Sequence, residues 1–311
     1  METIKIGTRG SKLALWQAEY IADLLKVGGL NTEIVKIETK GDKILDVSIS
    51  KIGSKGVFTE EIEEQLANGS IDIAVHSAKD LQSELDKGFS IIAFTEREKV
   101  NDVLIGSKEI DLSDTSKQIV IGTSSTRRVA TFRHFYPNVI TKEVRGNLQT
   151  RIRKLEEGNY DALMLAYAGV KRMNYQDMIR ETLSLDEFIP AVGQGSVAIE
   201  IHENMSGEKV NKLRSLLNHP PTEMCLLAER GYLKKLQGGC SIPVFALATL
   251  LDSGELSITG GIVSLDGKDR IIHTETGVPE DAESIGMNLG EKVLNSGGDK
   301  ILQTIKNQIG S

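Results

Sequence analysis

The chain has 311 residues, of which 40% are hydrophobic and 26% are charged, and its formal net charge is -7. This composition is typical of a globular protein of two or three domains, and it excludes a collagen-like chain, a disordered chain and a disulfide scaffold. The negative charge argues against nucleic-acid binding, and no apolar run approaches the ~20 residues that a membrane span needs. The opening segment METIKIGTRG predicts a strand and no signal peptide, and the chain has only two cysteines. We therefore expect a cytoplasmic protein.

Strand and helix patterns alternate through the first hundred residues. Strands are predicted at 4–8, 32–39 and 71–75, and helices are predicted after the capping residues Ser11 and Thr59. This βαβαβ order predicts a mostly parallel sheet. A long segment of weak periodicity, 42–57, lies between these elements, and we interpret it as a functional loop.

A second set of elements repeats this plan. Strands are predicted at 119–123, 139–144 and 160–166, with a helix capped by Asn147 between the last two. A turn-rich segment then leads into a strand at 197–201. After His219-Pro220-Pro221 the pattern changes to a helix, three strands and two more helices. We therefore predict an α/β protein with two similar α/β domains and a smaller α+β domain at the C-terminal end.

The arginines are concentrated in the second set. Eight of the 13 arginines lie between Arg127 and Arg180. This clustering predicts that the arginines bind a polyanionic ligand at one site. The alternative interpretation is that they form the solvated face of a helix. Because ligands of open parallel sheets bind beyond the carboxyl ends of the strands, the polar groups of those loops are candidates for one cleft. These groups are Arg9, Ser11, Lys79, Asp80, Ser124, Ser125, Arg127, Arg128, Arg145 and Arg172.

Two single residues carry possible chemistry. Asp80 is an acid at the end of an apolar strand in a basic neighbourhood. It could stabilise a cationic intermediate or act in acid–base catalysis, or it could cap a helix or pair with Lys79. Cys240 follows Gly238-Gly239, so its sulfur could be a nucleophile or a covalent anchor, or it could be an inert loop thiol. Cys225, in the middle of a predicted helix, is expected in the core.

Eight segments in a fixed order resemble the porphobilinogen deaminase (hydroxymethylbilane synthase) family. They are TRGSKLALWQA (8–18), GSKGVFTEEIE (53–63), DIAVHSAKDL (72–81), IGTSSTRR (121–128), RGNLQTRIRKL (145–155), YDALMLAYAGVKR (160–172), PAVGQGSVAIE (190–200) and LQGGCSIP (236–243). The resemblance covers nearly the whole chain. It implies two domains like type II periplasmic binding proteins and a third domain that carries the cysteine. We place the domains at 1–96 with 196–215, at 97–195 and at 216–311.

The resemblance also implies a transferase reaction. Four porphobilinogen units are joined with loss of ammonia into the linear tetrapyrrole hydroxymethylbilane, in porphyrin biosynthesis. The implied cofactor is a dipyrromethane bound through a thioether to Cys240. Each pyrrole carries an acetate and a propionate, which suits bidentate arginines. Loss of ammonia leaves a cationic pyrrole, which the catalytic carboxylate of Asp80 would stabilise.

Matching positions assign the remaining site residues. The cofactor-binding residues implied are Lys79, Ser125, Arg127, Arg128, Arg145 and Gly146. The substrate-binding residues implied are Arg9, Ser11, Gln17, Phe58, Arg151, Arg172 and Gln194. The 42–57 segment would cover the cleft. One departure is Gln82, where proline is usual after the aspartate, which puts the rigidity of that turn in doubt.

Two other functions fit parts of the pattern. A two-lobed anion receptor would share the architecture but has no need of Cys240 and Asp80. A nucleic-acid-binding regulator would use the arginines, but the negative charge and the lack of a recognition helix count against it. We expect a monomer with porphobilinogen as its partner, and no metal, nucleic acid or membrane.

Overall fold

Three β-sheets organise the chain, and the computed structural model describes residues 3–43, 59–237 and 242–309. The strands are β1 Thr3–Arg9, β2 Asn31–Ile37, β3 Ile73–Ser77, β4 Phe89–Phe94, β5 Asp102–Ile105, β6 Ile119–Gly122, β7 Val139–Lys142, β8 Ala162–Ala166, β9 Ile179–Thr182, β10 Val197–His202, β11 Val244–Leu250, β12 Leu256–Val263 and β13 Arg270–Gly277. The helices are α1 Lys12–Val27, α2 Lys40–Lys43, α3 Glu60–Ala67, α4 Thr126–Phe135, α5 Leu148–Glu156, α6 Tyr167–Arg172, α7 Gly207–Leu217, α8 Pro220–Lys235, α9 Ala282–Val293 and α10 Asp299–Ile309.

The first sheet, which we call lobe 1 with its helices, has the strand order β2-β1-β3-β10-β4. The strand β1 runs parallel to β2 and β3, and β10 runs antiparallel to β3 and β4. The second sheet, lobe 2, has the order β7-β6-β8-β5-β9 with the same alternation: β6 is parallel to β7 and β8, and β5 is antiparallel to β8 and β9. The two lobes therefore repeat one plan, and the predicted parallel pairing holds for three strands of each sheet.

The amphipathic helix α1 shows why lobe 1 folds as it does. Its N-cap is Ser11, whose side-chain oxygen accepts a hydrogen bond from the backbone nitrogen of Ala14 at 3.2 Å. One face of the helix, with Ile21 and Leu25, is fully buried against the sheet. The helix ends at Gly28, where the sequence predicts its end.

The chain crosses between the lobes twice. It leaves lobe 1 after β4 and enters lobe 2 at β5, and it returns from β9 to β10. These connections, 95–101 and 183–196, contain the boundaries that we predict at 96/97 and 195/196, which stay predictions. The third boundary, after residue 215, falls inside α7. Because Leu213 and Leu217 pack in the core of lobe 1, that helix belongs to lobe 1 to its end.

The C-terminal unit has a three-stranded antiparallel sheet, β11-β12-β13, packed against α8, α9 and α10. Its largest fully buried side chain is Tyr232 of α8, whose hydroxyl donates to the carbonyl of Gly261 at 2.7 Å. The predicted α/β class, with two similar α/β lobes and a smaller α+β unit, is confirmed by these three sheets. The sequence patterns missed the strands β4, β5 and β9 and the helices α2, α6 and α7, all of which lie outside the repeated βαβ pattern.

Candidate active site

The two lobes meet where their parallel strands end. Arg172 of lobe 2 extends toward lobe 1, with its guanidinium carbon 5.3 Å from the ring centre of Trp16. Its Nη2 donates to the carbonyl of Gly195 at 2.7 Å, in the connection that returns to lobe 1. In the same region the Nζ of Lys79 lies 3.5 Å from Oε1 of Gln194. Arg172, Lys79 and Gln194 therefore lie at one junction between the lobes.

A single turn of 3₁₀ helix, Ala78–Asp80, follows β3 and carries two of the predicted residues. Hydrogen bonds from α1 and from the connection that returns to lobe 1 fix the position of this turn. Gln17 donates from Nε2 to the hydroxyl of Ser77 at 2.7 Å, and the backbone nitrogen of Ala78 donates to Ser196 at 3.0 Å. Gly193 packs on the turn so closely that a Cβ there would lie 2.8 Å from the carbonyl carbon of Ala78. The direction of the turn is thus fixed by both lobe 1 and the returning connection.

Asp80 is exposed at the end of this turn. Over residues 3–43, 59–237 and 242–309, its carboxylate has no hydrogen-bond or ion-pair partner. Its charge nevertheless acts on Lys79 and on Arg151: burial lowers the pKa of both groups, and the Asp80 carboxylate opposes part of that lowering. An exposed carboxylate without a partner, between cations from both lobes, is available to a positively charged ligand.

Lys79 is the cation next to it. Burial lowers the pKa of Lys79 to about 8; the Asp80 carboxylate raises that pKa, and the Arg128 guanidinium lowers it further. A lysine in this state is charged at neutral pH and loses its proton under mildly alkaline conditions.

Arg127 and Arg128, at the start of α4, are buried and paired with Asp102, the first residue of β5. The Nη2 of Arg127 lies 2.7 Å from one Asp102 oxygen, and the Nη2 of Arg128 lies 2.6 Å from the other. Their Nη1 atoms donate to the carbonyls of Ile189 and Met164. Burial alone would raise the pKa of Asp102, but the two guanidinium groups hold it well below its usual range.

This pairing changes the expected role of the two arginines. Each of their four Nη atoms donates to a protein group: two donate to backbone carbonyls and two to the Asp102 carboxylate. Only 5% of Arg127 and 7% of Arg128 is exposed to solvent. The expectation that both bind cofactor carboxylates through bidentate contacts is therefore not met by this arrangement. Only their Nε atoms have no hydrogen-bond partner in the described chain.

Asp102 is the site residue that the sequence patterns missed. It receives a third hydrogen bond from Nε2 of Gln194 at 2.9 Å. The sequence feature that could have indicated Asp102 is an acid directly before the apolar residues Val103-Leu104-Ile105. The sequence patterns did not identify this short run as a strand.

The other predicted residues of lobe 2 surround the start of α5. Arg145 pairs with Glu143 through Nε at 2.7 Å, and Arg151 donates from Nε to the carbonyl of Gly146 at 2.8 Å. Burial lowers the pKa of the Arg151 guanidinium, and the nearby charge of Arg128 acts in the same direction. Ser125 caps α4, with its oxygen 3.5 Å from the backbone nitrogen of Arg128.

In lobe 1, Arg9 ends β1 and Ser11 caps α1, and both are partly exposed. The two glutamines are buried, at 2% exposure for Gln17 and 1% for Gln194, and their amide nitrogens donate to protein groups. They lie behind the turn Ala78–Asp80, so direct contact with substrate, as expected from the resemblance, does not fit their positions.

Three predictions lie outside the described residues. They concern Phe58, Cys240 and the greater part of the 42–57 segment. The described chain continues past α8 to Gln237 and resumes at Ile242. Cys225, by contrast, is buried in α8, where burial raises the pKa of its thiol to about 11, as expected of a core cysteine.

Hydrogen bonds restrain the turn after Asp80, where the sequence has Gln82 instead of the usual proline. Arg230 of α8 donates from Nη2 to the carbonyls of Gln82 at 2.9 Å and Ser83 at 3.2 Å. The C-terminal unit therefore restrains the segment that Gln82 was expected to leave less rigid.

Across the residues described, no cluster of three or more His, Cys, Asp and Glu side chains could hold a metal ion. No helix in the same part of the chain has the length and apolarity needed to cross a membrane.

Comparison with known proteins gives consistent matches along the chain. The family model described as "Porphobilinogen deaminase, dipyromethane cofactor binding domain" matches residues 4–209, and the model "Porphobilinogen deaminase, C-terminal domain" matches 223–295. A porphobilinogen deaminase of Desulfosudis oleivorans is 52% identical over 98% of both chains. One of Cytophaga hutchinsonii is 56% identical over 98% of this chain and 97% of its own.

Among solved structures, similarity is distant. The second substrate-binding domain of a putative amino acid ABC transporter from Streptococcus pneumoniae is 15% identical, with a TM-score of 0.43, and the alignment covers 69% of this chain and 91% of that chain.

Proposed function

The chain belongs to the porphobilinogen deaminase family, and from this premise we propose that it joins four porphobilinogen molecules into hydroxymethylbilane with Asp80 as its catalytic carboxylate. It is a transferase of tetrapyrrole biosynthesis. The observation that carries the assignment to Asp80 is its exposed carboxylate, which has no partner in the described chain and stands at the junction of the lobes. Four porphobilinogen molecules and one water give one hydroxymethylbilane and four ammonia.

The proposed role of Asp80 is electrostatic. When the amino group of the aminomethyl arm of porphobilinogen leaves as ammonia, the methylene carbon stays on the pyrrole ring, and the positive charge is shared between that carbon and the ring. A fixed carboxylate close to that charge lowers the free energy of the transition state, and the removal of one such preorganised group costs on the order of 10²–10³ in rate in other enzymes. The same carboxylate can accept hydrogen bonds from pyrrole N–H groups.

The proposed role of the cations is to hold acidic side arms. Each pyrrole brings two carboxylates, and Lys79, Arg145 and Arg151 present positive charge at the edge of the junction. We also include Arg9, Ser11, Arg172 and Phe58 in the substrate site. A charge-assisted hydrogen bond contributes about 1.5–3 kcal/mol, so several of them bind a polyanion and still allow its release.

A dipyrromethane fits this set of donors. Its carboxylates would be held by Lys79, Arg145, the backbone of Gly146 and the hydroxyl of Ser125. Arg127 and Arg128 add net positive charge through the buried group with Asp102, which pairs two cations with one anion. When bound through a thioether to Cys240, the cofactor supplies the pyrrole on which the chain grows.

Gln17 and Gln194 act as positioning residues in this proposal. Gln17 holds Ser77 at the end of β3, and Gln194 joins Lys79 to Asp102. Their contribution is therefore the fixed orientation of the turn Ala78–Asp80, because a misplaced catalytic group loses rate even when its chemistry is intact.

We also propose that the protein acts in the cytoplasm as a monomer, with no nucleic acid as partner. The net charge of -7 supports the last point, and a content of only two cysteines is typical of proteins in a reducing compartment.

The test is a balanced product assay. Incubation with porphobilinogen should release four ammonia for each linear tetrapyrrole detected by mass spectrometry. Binding of porphobilinogen without release of ammonia would contradict the proposed enzymatic activity and favour an anion receptor.

A further inference from the structure

The carboxylate of Asp102 joins the two sides of the site. It is fully buried, and each of its oxygens accepts from a different arginine, as described above. One oxygen also accepts from Gln194, whose Oε1 lies 3.5 Å from Lys79 Nζ. A continuous series of polar contacts therefore runs from the guanidinium groups of α4 through Asp102 and Gln194 to the lysine beside Asp80.

We propose that Asp102 is a positioning residue of the reaction, which fixes the two guanidinium groups of Arg127 and Arg128 and, through Gln194, the ammonium group of Lys79. This inference deepens the proposed function and rests on it only where turnover is measured.

The geometry gives Asp102 this role because nothing else in the described chain pairs with both arginines. Their remaining Nη contacts are to backbone carbonyls, which carry no charge. Without Asp102, two guanidinium groups would be buried side by side with no counter-charge, and such an arrangement is strongly unfavourable. The arginines would then move or draw another anion, and the surface offered to substrate carboxylates would change.

The charges around Lys79 make the proposal measurable. Among the described residues, the charged groups that face Lys79 are Asp80, Asp102, Arg127 and Arg128. The first two raise its pKa and the last two lower it. Removal of the Asp102 charge leaves the two arginines opposed by Asp80 alone, so Lys79 should lose its proton at a lower pH.

The experiment measures the acetylation of Lys79 by acetic anhydride as a function of pH, read by peptide mass spectrometry on the purified protein without substrate. The samples compared have the same cofactor content by intact mass, because the cofactor carboxylates would also act on Lys79. The variants are Asp102→Asn and Asp102→Glu. The control is Asp72→Asn, which also removes a paired carboxylate: Asp72 accepts from the Lys5 backbone and pairs with Lys209 at 2.7 Å. Asp72 precedes β3 and Lys79 follows it, so the strand separates the two residues.

We expect the midpoint of Lys79 acetylation to fall by about one pH unit in Asp102→Asn. The midpoint should stay near the wild-type value in Asp102→Glu and in Asp72→Asn. An unchanged midpoint in a folded Asp102→Asn protein would overturn the proposal, because a purely structural residue would lower stability and leave Lys79 as it was.

The Asp102→Glu variant decides the matter if Asp102→Asn does not fold. The longer side chain keeps the charge but displaces the guanidinium groups, so KM for porphobilinogen should rise about tenfold while the Lys79 midpoint is retained. Wild-type KM and kcat in Asp102→Glu would overturn the proposal. The acetylation result needs no turnover, so it stands apart from a failure of the proposed function.

Discussion

The guanidinium group of Arg172 lies over the indole ring of Trp16, 5.3 Å from its centre, and this contact joins the two lobes. Trp16 is the only tryptophan of the chain and stacks on Tyr20 with ring centres 5.5 Å apart. Its fluorescence therefore reports on one contact between the lobes.

The first prediction concerns this contact. Arg172→Leu should change the emission of Trp16 and lower kcat/KM for porphobilinogen at least tenfold, because it removes both the cation on the ring and a proposed carboxylate partner. Fluorescence spectra and steady-state kinetics measure the two effects. Arg180→Leu is the control and should leave both unchanged, since it removes a partly exposed arginine whose hydrogen bonds in the described part of the chain go to backbone carbonyls. Unaltered emission and kinetics in Arg172→Leu would contradict the assignment.

The second prediction concerns Asp80. Asp80→Asn should lower kcat by about 10²-fold or more while the midpoint of thermal unfolding stays close to that of the wild type. Stability is kept because the exposed carboxylate has no ion pair to lose in the described chain. Glu84→Gln, an exposed acid that pairs with Lys234 on the C-terminal unit, is the control for charge removal. Near wild-type turnover in Asp80→Asn would exclude a catalytic role for this residue.

The third prediction is a pH dependence from Lys79. Its pKa is lowered to about 8, so the ammonium group is charged below pH 8 and neutral above it. Affinity for the carboxylates of porphobilinogen should therefore fall as pH rises through about 8, which appears as a rise in KM. In Lys79→Arg the charge persists at higher pH, so the inflection near pH 8 should disappear. An inflection that persists in Lys79→Arg would assign it to another group, such as the substrate amine.

The fourth prediction concerns Gly193, which has a φ of 76° and packs against the backbone of the turn Ala78–Asp80. Gly193→Ala adds a methyl group 2.8 Å from a carbonyl carbon that cannot move freely, so it should lower both stability and kcat. Gly29→Ala is a matched control, since Gly29 has a φ of 77° and no atom within 4 Å of an added Cβ. It should cost about 1 kcal/mol in stability and leave kcat unchanged. Equal effects of the two substitutions on kcat would show that contact with the turn is unimportant.

The sequence predicted the parts of the fold that depend on local patterns. The cap of α1 at Ser11, the cap of α5 at Asn147 and the end of β3 before Lys79 follow from residue type and periodicity. The antiparallel strands β5 and β9 were missed because their pairing is decided by contacts distant in sequence. The equally short strands β6 and β7 were predicted because they belong to the repeated βαβ pattern.

The same limit applies to the site. The position of Asp80 could be predicted, because it follows directly from the end of a buried strand. The burial of Arg127 and Arg128 could not, because their partner Asp102 is about 25 residues away and lies on an unpredicted strand. An arginine-rich sequence indicates charge in a region, and only tertiary structure shows which of these charges are neutralised within the protein.

The most direct test of the central claim is the intact mass of the purified protein. We propose that a dipyrromethane is bound to Cys240, so the wild-type mass should exceed the sequence mass by one such adduct. Cys240→Ala should have the mass of the bare chain, and Cys225→Ala, which removes the buried core cysteine, should keep the adduct. A wild-type protein of bare mass that still makes hydroxymethylbilane, or an adduct that persists in Cys240→Ala, would contradict this account.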